Sequence, residues 1–431
     1  MRARERRRRS PSSAAQPRAS DEGRAVLVID ALSYVVPYAL VLMLVVTVHE
    51  LGHFLMARSL GVAVDVFSIG FGPALLRWKD RGGVEWRLAA IPLGGYVRFA
   101  GDADPSSSVP DSAELEDLRR QVARREGDAA VANYYHFRPV WQRAAIAAAG
   151  PAANFLLSML LFTGLLMAFG DARVTPRVRG VMADAPAARA GFQSGDLITA
   201  INGRPVDDFE RVVAYVQGHT GAPIRFTVRR GTPPRALDLM VTPERRPWRD
   251  PLTGQMAQVG TIGLYGVRDA ADVVRVRYDL PQAIVAGAGR VGDIIGSTLT
   301  YFGRLARGLE SGDQLSGPIR MAQASHAIAA GAMQVKAPMP ARVGAGAVAL
   351  LSVAAVISVA IGFMNLLPIP ILDGGHLVFY AYEAIARRPA AASVQAAGAR
   401  VGLVLVFALM LFATWNDLRQ PLLRWLGGTF S

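Results

Sequence analysis

Cysteine is absent from this chain of 431 residues, and histidine occurs only six times. The absence of cysteine excludes disulfide bonds, thiolate metal ligands and cysteine nucleophiles, although it says little about the cellular compartment. A transition-metal site in this chain must therefore take its ligands from histidine, aspartate and glutamate.

Charged residues are also scarce. They make up 19% of the chain and hydrophobic residues 52%, whereas a typical soluble domain is about 25% charged. This composition predicts a polytopic α-helical membrane protein with soluble parts. The net charge of +13 does not indicate a nucleic-acid partner, because the arginines are scattered through loops without a basic stripe interleaved with aromatics. Basic residues beside membrane spans instead set topology and contact anionic lipid.

Four apolar stretches are long enough, or nearly so, to cross a bilayer, which takes about 20 residues. The predicted spans are 33–56, 144–169, 344–367 and 399–416, and a motif that ends at residue 376 follows the third. The first span is expected to be retained rather than cleaved as a signal peptide, because it is long and lacks an A-x-A-like exit. The basic segment 1–32 is predicted to be a disordered tail, and 417–431 a C-terminal tail.

The polar segments between the spans carry two predicted folded units. Residues 57–143 contain a small membrane-associated β-hairpin that turns at residues 81–83, followed by a charged surface helix over 112–126. Residues 174–245 resemble a PDZ domain in the run AARAGFQSGDLITAINGRPV, which predicts an inserted PDZ-like α+β domain with an unknown ligand. A domain that acts only as a spacer stays an alternative. Residues 246–343 are predicted to be a linker with amphipathic helices.

The first span contains the sequence HELGH. On a helix, His49 and His53 lie one turn apart on the same face, so both imidazoles can reach one zinc ion. Glu50 projects beside that face and can act as general base toward a zinc-bound water, as in the H-E-x-x-H arrangement. Ionisable residues within a span are rare and usually functional. The alternative is that these polar residues only bond one helix to another.

A catalytic zinc site needs a third protein ligand and an open position for water. We favour Asp373 in the stretch NLLPIPILDGGH, where two prolines end the third span. Irregular backbone at membrane depth is tolerated where it is buried in protein or lines a cavity. The first and third spans run in the same direction, so both motifs reach the same face of the membrane. His376 is the main competing ligand. The other candidates are the remaining histidines, His136, His219 and His326, or another carboxylate.

Together these motifs resemble the site-2 proteases, peptidase family M50, of the RseP type of intramembrane zinc metalloprotease. The resemblance covers the chain from about residue 33 to its end, and rests on HELGH, FSIGFGP, IPLGGYVRF, GPAANF and NLLPIPILDGGH. It implies that His49, His53 and Asp373 hold one zinc ion and that Glu50 activates water. It further implies substrate-positioning residues: Asn365, Asn154, Gly94, Gly95 and Tyr96. Enterobacterial relatives carry two PDZ domains, whereas one is found here, and the basic tail is unlike the family.

By the same resemblance, the substrates would be transmembrane proteins, such as anti-sigma factors after a first cut or remnant signal peptides. The arginines of the loops after the first span and before the fourth place the zinc site near the cytoplasmic face of a bacterial inner membrane, with the PDZ-like domain in the periplasm. The arginines of the tail favour the opposite orientation. Three other functions remain as alternatives: a hydrolase of soluble peptides at the membrane surface, an inactive client-binding protein, and, more weakly, a metal transporter.

Overall fold

The computed structural model describes residues 19–101, 112–249, 256–266, 272–308, 312, 317–334 and 336–428. The helices described are α1 Ala19–Ser59, α2 Ser112–Glu126, α3 Asp128–Val131, α4 Val140–Phe169, α5 Pro186–Arg189, α6 Phe209–Gln217, α7 Leu280–Ala306, α8 Pro318–Met333, α9 Met339–Asn365, α10 Asp373–Ala386 and α11 Ala392–Gly428. The strands described are β1 Val64–Lys79, β2 Glu85–Phe99, β3 Asp171–Val174, β4 Gly180–Val181, β5 Leu197–Ile201, β6 Arg204–Pro205, β7 Ile224–Arg230, β8 Arg235–Val241, β9 Glu244–Arg249, β10 Met256–Thr261, β11 Leu264–Tyr265 and β12 Val273–Val276.

Four of these helices are long and apolar enough to cross a membrane, as expected for a polytopic membrane protein. Their candidate spans are Ser33–Ser59, Val140–Phe169, Met339–Asn365 and Ala392–Arg419. Each span is longer than its predicted stretch, because helical geometry continues into polar flanks where hydropathy falls. The predicted disordered tail needs a correction, since α1 already begins at Ala19. The apolar run AVLVIDAL favours continuation of that helix; residues 1–18 lie outside the described part.

Three of the spans form the core of the membrane region. Val41 and Val45 of α1 pack against Ala354 and Ile357 of α9. On the other side of α9, Ala355 and Val359 pack with Phe162 of α4. In the fourth span, which belongs to α11, only 11% of the most apolar stretch is buried within the protein. The three-helix core of α1, α4 and α9 therefore fixes the region from which the metal-binding motifs project.

A proline inside α1 is compensated by a contact from α8. Pro37 has no N–H, so the carbonyl of Ser33 loses its usual partner one turn later in the helix. His326 of α8 supplies the replacement, since its Nδ1 lies 3.0 Å from the Ser33 oxygen, which can only accept. The His326 ring also lies 4.0 Å from that of Tyr34. This contact ties α8 to the start of the first span.

β1 and β2 form a bent antiparallel hairpin directly after α1. Because both strands bend, residues 66–69 of β1 pair with 95–98 and also with 85–88 of β2. Residues 74–79 pair with the start of β2, and the turn falls at the predicted glycines. Phe67 and Trp86 pack against Phe54 of α1 with ring separations of 5.3 and 5.4 Å. The hairpin is thereby fixed beside the end of α1 that carries HELGH.

The segment 171–276, called the β unit here, follows α4. Its four-stranded sheet has the order β6-β5-β7-β8, and α6 covers a core that includes Ile198, Val212 and Phe226. The unit extends past the predicted boundary at 245, because β11 pairs with β4 and β12 pairs with β3. The predicted linker over 246–276 therefore contains strands. These strands have six residues or fewer, so they give little apolar alternation.

Candidate metal centre

Two helix ends bring three predicted ligands together. His49 and His53 lie near the end of α1, and Asp373 is the first residue of α10. The Nε2 atoms of the two imidazoles are 3.2 Å apart. Oδ2 of Asp373 lies 3.1 Å from Nε2 of His49 and 3.5 Å from Nε2 of His53. These three atoms, called the metal group here, can hold one metal ion.

The loop before α10 explains how Asp373 reaches the metal group. The chain turns sharply between the end of α9 and Leu372, and α10 packs back onto that turn. A Cβ added at Gly374 would lie 2.3 Å from the carbonyl oxygens of Leu366 and Leu367, and one added at Gly375 would lie 2.3 Å from that of Ile369. Only glycine permits this close approach. The LDGG sequence is therefore what folds the third ligand under the end of α9.

Helix α4 packs closely against both imidazoles. A Cβ on Gly150 would lie 2.3 Å from Nε2 of His53 and 2.9 Å from Cε1 of His49, so the rings occupy the space that a side chain would fill. Nδ1 of His53 lies 2.8 Å from the carbonyl oxygen of Ile146. Because that oxygen can only accept, Nδ1 of His53 carries the proton and Nε2 of the neutral ring presents a lone pair to the metal group.

The donor set fits zinc. Nε2 of His53 in this tautomer and Oδ2 of Asp373 are both hydrogen-bond acceptors, and Oδ2 is buried without a hydrogen-bond partner. A cation resolves such an arrangement. Zinc bonds of about 2.0–2.1 Å in a tetrahedron place ligand atoms about 3.3 Å apart. The separations of 3.1, 3.2 and 3.5 Å within the metal group lie within a few tenths of an ångström of that value.

Glu50 lies between the metal group and the β-hairpin. Its carboxylate accepts a backbone hydrogen bond from Val97 of β2. A Cβ added to Gly95 would lie 3.6 Å from Cγ of Glu50. The predicted general base is thus placed where β2 passes the end of α1, with its carboxylate held by the strand.

The remaining predicted site residues fall in three places. The amide of Asn365 lies 3.2 Å from Nε2 of His49, at the metal group itself. Asn154 is fully buried behind His49, with its Nδ2 3.1 Å from Nδ1 of that ring. Gly94 and Tyr96 flank Gly95 on β2, where the Tyr96 ring stacks on that of Phe71 at 6.1 Å. A role for these residues in substrate positioning stays a prediction.

The competing histidines lie elsewhere. His376 is one turn along α10 from Asp373, and its ring faces that of Tyr380 at 6.4 Å. His219 stacks on Tyr215 in the β unit, and His326 bonds to α1. None of these belongs to the metal group found among the described residues. The geometry therefore favours Asp373 as the third ligand.

Sequence reasoning did not find the contacts that hold α10. Nη2 of Arg143 lies 2.7 Å from Oε1 of Glu383. The hydroxyls of Tyr135 and Tyr380 are 2.8 Å apart. Arg143 also lies over the Tyr380 ring, with 5.0 Å from its guanidinium carbon to the ring centroid. These partners are about 240 residues apart in sequence, and no local pattern relates them.

Comparison with known proteins identifies the family of this chain. The family model for peptidase family M50 matches residues 37–409, a range that includes all three members of the metal group. The chain belongs to peptidase family M50. This M50 chain is 45% identical over 405 residues to the metalloprotease MmpA of Caulobacter vibrioides, covering 94% of the chain and 100% of that protein.

A second relative extends the match. Over 385 residues, 89% of this chain and 95% of the relative, the M50 chain is 40% identical to Atu1380 of Agrobacterium fabrum, provisionally named a zinc metalloprotease. The family and these relatives confirm the predicted enzyme class and cofactor: the chain is a zinc metalloprotease, and its four apolar helices make it a membrane protein.

Proposed function

We propose that this M50 zinc metalloprotease hydrolyses peptide bonds inside or beside the membrane-spanning segments of other proteins. The observation that carries the proposal is the position of the metal group, which lies at the ends of helices apolar enough to cross a membrane. A soluble peptidase would have no need to bring its water-activating residues to such a place, because charged groups are costly there.

In this proposal His49, His53 and Asp373 hold one zinc ion. When bound, zinc lowers the pKa of a coordinated water and polarises the scissile carbonyl. Glu50 receives a proton from the attacking water and passes it to the leaving nitrogen. The β2 backbone contact with Glu50 supports this role, because it holds the carboxylate in place beside the helix turn that carries the two histidines.

A substrate helix must unwind before its peptide bonds become accessible, since they are hidden in its own hydrogen bonds. We propose that the unwound segment adds to β2 as an extra strand. Residues 95–98 of β2 pair with β1 along one edge, and no other strand among the described residues pairs with their second edge. Gly95 lies beside Glu50. This arrangement supports positioning roles for Gly94, Gly95 and Tyr96, and for Asn365 across the site. A hairpin that only caps α1 is the alternative.

Substitution of Glu50 by glutamine tests the proposal. The variant should lose cleavage of a single-span membrane substrate completely within detection, while its zinc content and folding stay unchanged, because the amide keeps the size of the side chain but cannot take a proton. Cleavage would be followed on a purified substrate in detergent or liposomes, and zinc by elemental analysis. Retained hydrolysis would end the assignment of Glu50 as general base.

A comparison of membrane proteomes between wild-type and Glu50→Gln cells would then name the substrates. Uncut single-span fragments should accumulate in the variant, and pre-cut anti-sigma factors or remnant signal peptides are the proposed classes. An inactive client-binding protein would show no difference between the two strains. The complete set of zinc-binding and base residues argues against that alternative.

We further propose that the zinc site opens toward the cytoplasm of a bacterial inner membrane, with the β unit in the periplasm. The basic loops after α1 and before α11 support this orientation. A membrane-impermeant thiol reagent added from the cytoplasmic side should label a cysteine that replaces Arg388. If the cysteine reacted only with reagent added from the periplasmic side, the opposite topology would be shown.

The β unit is proposed to be a PDZ-like domain. In support, a groove of about 370 Å³ runs between α6 and the strands β10 and β11, with Phe209, Val212 and Leu264 among its lining residues. Such a groove suits an extended chain. A spacer without a ligand would leave cleavage unchanged when Val213, an exposed residue of the same groove, is replaced by aspartate.

A further inference from the structure

Helix α4 contributes no ligand to the metal group, yet it contacts both imidazoles on the side away from the metal. The two contacts are equivalent in position. Nδ1 of His53 faces the carbonyl oxygen of Ile146 at 2.8 Å, and Nδ1 of His49 faces the side-chain amide of Asn154 at 3.1 Å. The first contact fixes a proton on Nδ1 of His53, because a carbonyl oxygen only accepts.

The amide of Asn154 has two orientations, which exchange its oxygen and nitrogen. In the first, Nδ2 faces His49, and the buried Oδ1 has no hydrogen-bond partner. In the second, Oδ1 accepts the proton of Nδ1 of His49, so the unsatisfied oxygen gains its partner. Only the second orientation leaves Nε2 of the neutral His49 ring with a free lone pair toward the metal group.

Asn154 is held rigidly enough to impose this orientation. Its backbone carbonyl accepts a hydrogen bond of 2.9 Å from the Ser358 hydroxyl of α9. The neighbouring Ser158 hydroxyl lies 2.9 Å from the Ala355 carbonyl, also on α9. Asn154, Ser158 and Ser358 are all fully buried. The residue is therefore the point at which α1, α4 and α9 meet, and its amide is enclosed between these helices.

We propose that Asn154 is a positioning residue for His49: its side-chain oxygen accepts the Nδ1 proton and thereby aims Nε2 at the metal. This inference rests on the proposed role of His49 as a zinc ligand. The GPAANF motif would then have two roles at one metal site. Gly150 leaves room for the imidazole rings, and Asn154, one turn later on the same face, orients the ring of His49.

Zinc affinity of the full-length protein in detergent, measured by competition with a chromophoric chelator, tests the proposal. Asn154→Leu keeps the size of the side chain but removes the acceptor, and should weaken zinc binding about 10- to 100-fold. Asn154→Asp keeps an acceptor oxygen and should remain within about threefold of wild type. Thr163→Val is the matched control, because Thr163 is a buried polar residue of α4 that contacts α7 instead of the metal group.

Two outcomes would overturn the proposal. Wild-type affinity in folded Asn154→Leu would show that His49 needs no acceptor. Equal weakening in the Asp and Leu variants would show that Asn154 acts only through packing. If Asn154→Leu fails to fold, Asn154→Ser, which shortens the acceptor arm, is expected to weaken binding, and wild-type affinity there counts equally against the proposal. His49→Ala is measured in parallel, because retained zinc in that variant would instead refute the ligand assignment itself.

Discussion

His49 and His53 lie on one uninterrupted helix and are packed against α4 at Gly150, whereas Asp373 begins a new helix after an irregular turn. The two imidazoles are thus fixed by contacts within a few ångströms of the metal group. The carboxylate depends on the close approach of Gly374 and Gly375 to the turn, and also on a contact ten residues further along α10, where Arg143 meets Glu383. Helix α4 takes part in both.

This difference has a mechanical consequence. The histidine half of the site is rigid because changes near it collide with α4, while the aspartate half is held partly by a contact at the far end of α10. Substitutions near the histidines should therefore have large, local effects on zinc binding. Those near the α10 clamp should have smaller effects on zinc that are accompanied by lost stability.

The largest effect is expected for Gly150→Ala. The added Cβ would lie 2.3 Å from Nε2 of His53, so the imidazole must leave its position. Zinc affinity, measured by chelator competition, should fall more than about 100-fold, beyond the range typical of outer partners. Gly164→Ala on the same helix is the control, since nothing lies within 4 Å of its added Cβ. Equal affinity in both variants would refute the claim of a rigid histidine half.

An intermediate effect is expected at the α10 clamp. Arg143 and Glu383 side chains are 16% and 17% exposed, so a double-mutant cycle with Arg143→Gln and Glu383→Gln should give a coupling of about 1–2 kcal/mol in the free energy of unfolding. Each single variant should also lower zinc affinity by about tenfold or less. The exposed pair Arg120–Glu116 on α2 provides the comparison, with an expected coupling of about 0.3–0.5 kcal/mol. Similar couplings for both pairs would mean that no clamp exists.

The smallest effect is expected for Tyr380→Phe, which removes only the hydroxyl that contacts the Tyr135 hydroxyl and the Arg143 guanidinium. The ring contact with Arg143 persists, so the loss in unfolding free energy should be about 1 kcal/mol, with zinc content unchanged. Tyr382→Phe on the same helix is the control, because its side chain is 44% exposed. A loss of zinc in Tyr380→Phe would show that the contacts of this hydroxyl, and not the ion pair alone, hold α10.

Residue types and local spacing were enough to predict one part of the site. The i, i+4 spacing of His49 and His53 follows from helical geometry alone, and the predicted pairing with Asp373 agrees with the metal group of the structure. Parallel spans and a proline-ended helix were sufficient to bring the two motifs to one face.

Other parts could not be predicted, for physical reasons. The ion pair of Arg143 with Glu383 joins residues 240 positions apart, and either residue alone looks like an ordinary interfacial charge. The strands of the β unit beyond residue 245 are too short to show alternation. Gly150 and Asn154 did carry a sign, since a glycine and an asparagine four residues apart mark one face of a mostly apolar helix. That spacing alone does not reveal which neighbour they contact.

The ligand set of the metal group is the central claim, and zinc stoichiometry tests it most directly. Elemental analysis of the purified full-length protein should give one zinc per chain for wild type and for His376→Ala, because His376 lies outside the metal group. Asp373→Ala should lose most of its zinc while remaining folded. Full zinc in Asp373→Ala together with its loss in His376→Ala would contradict the account.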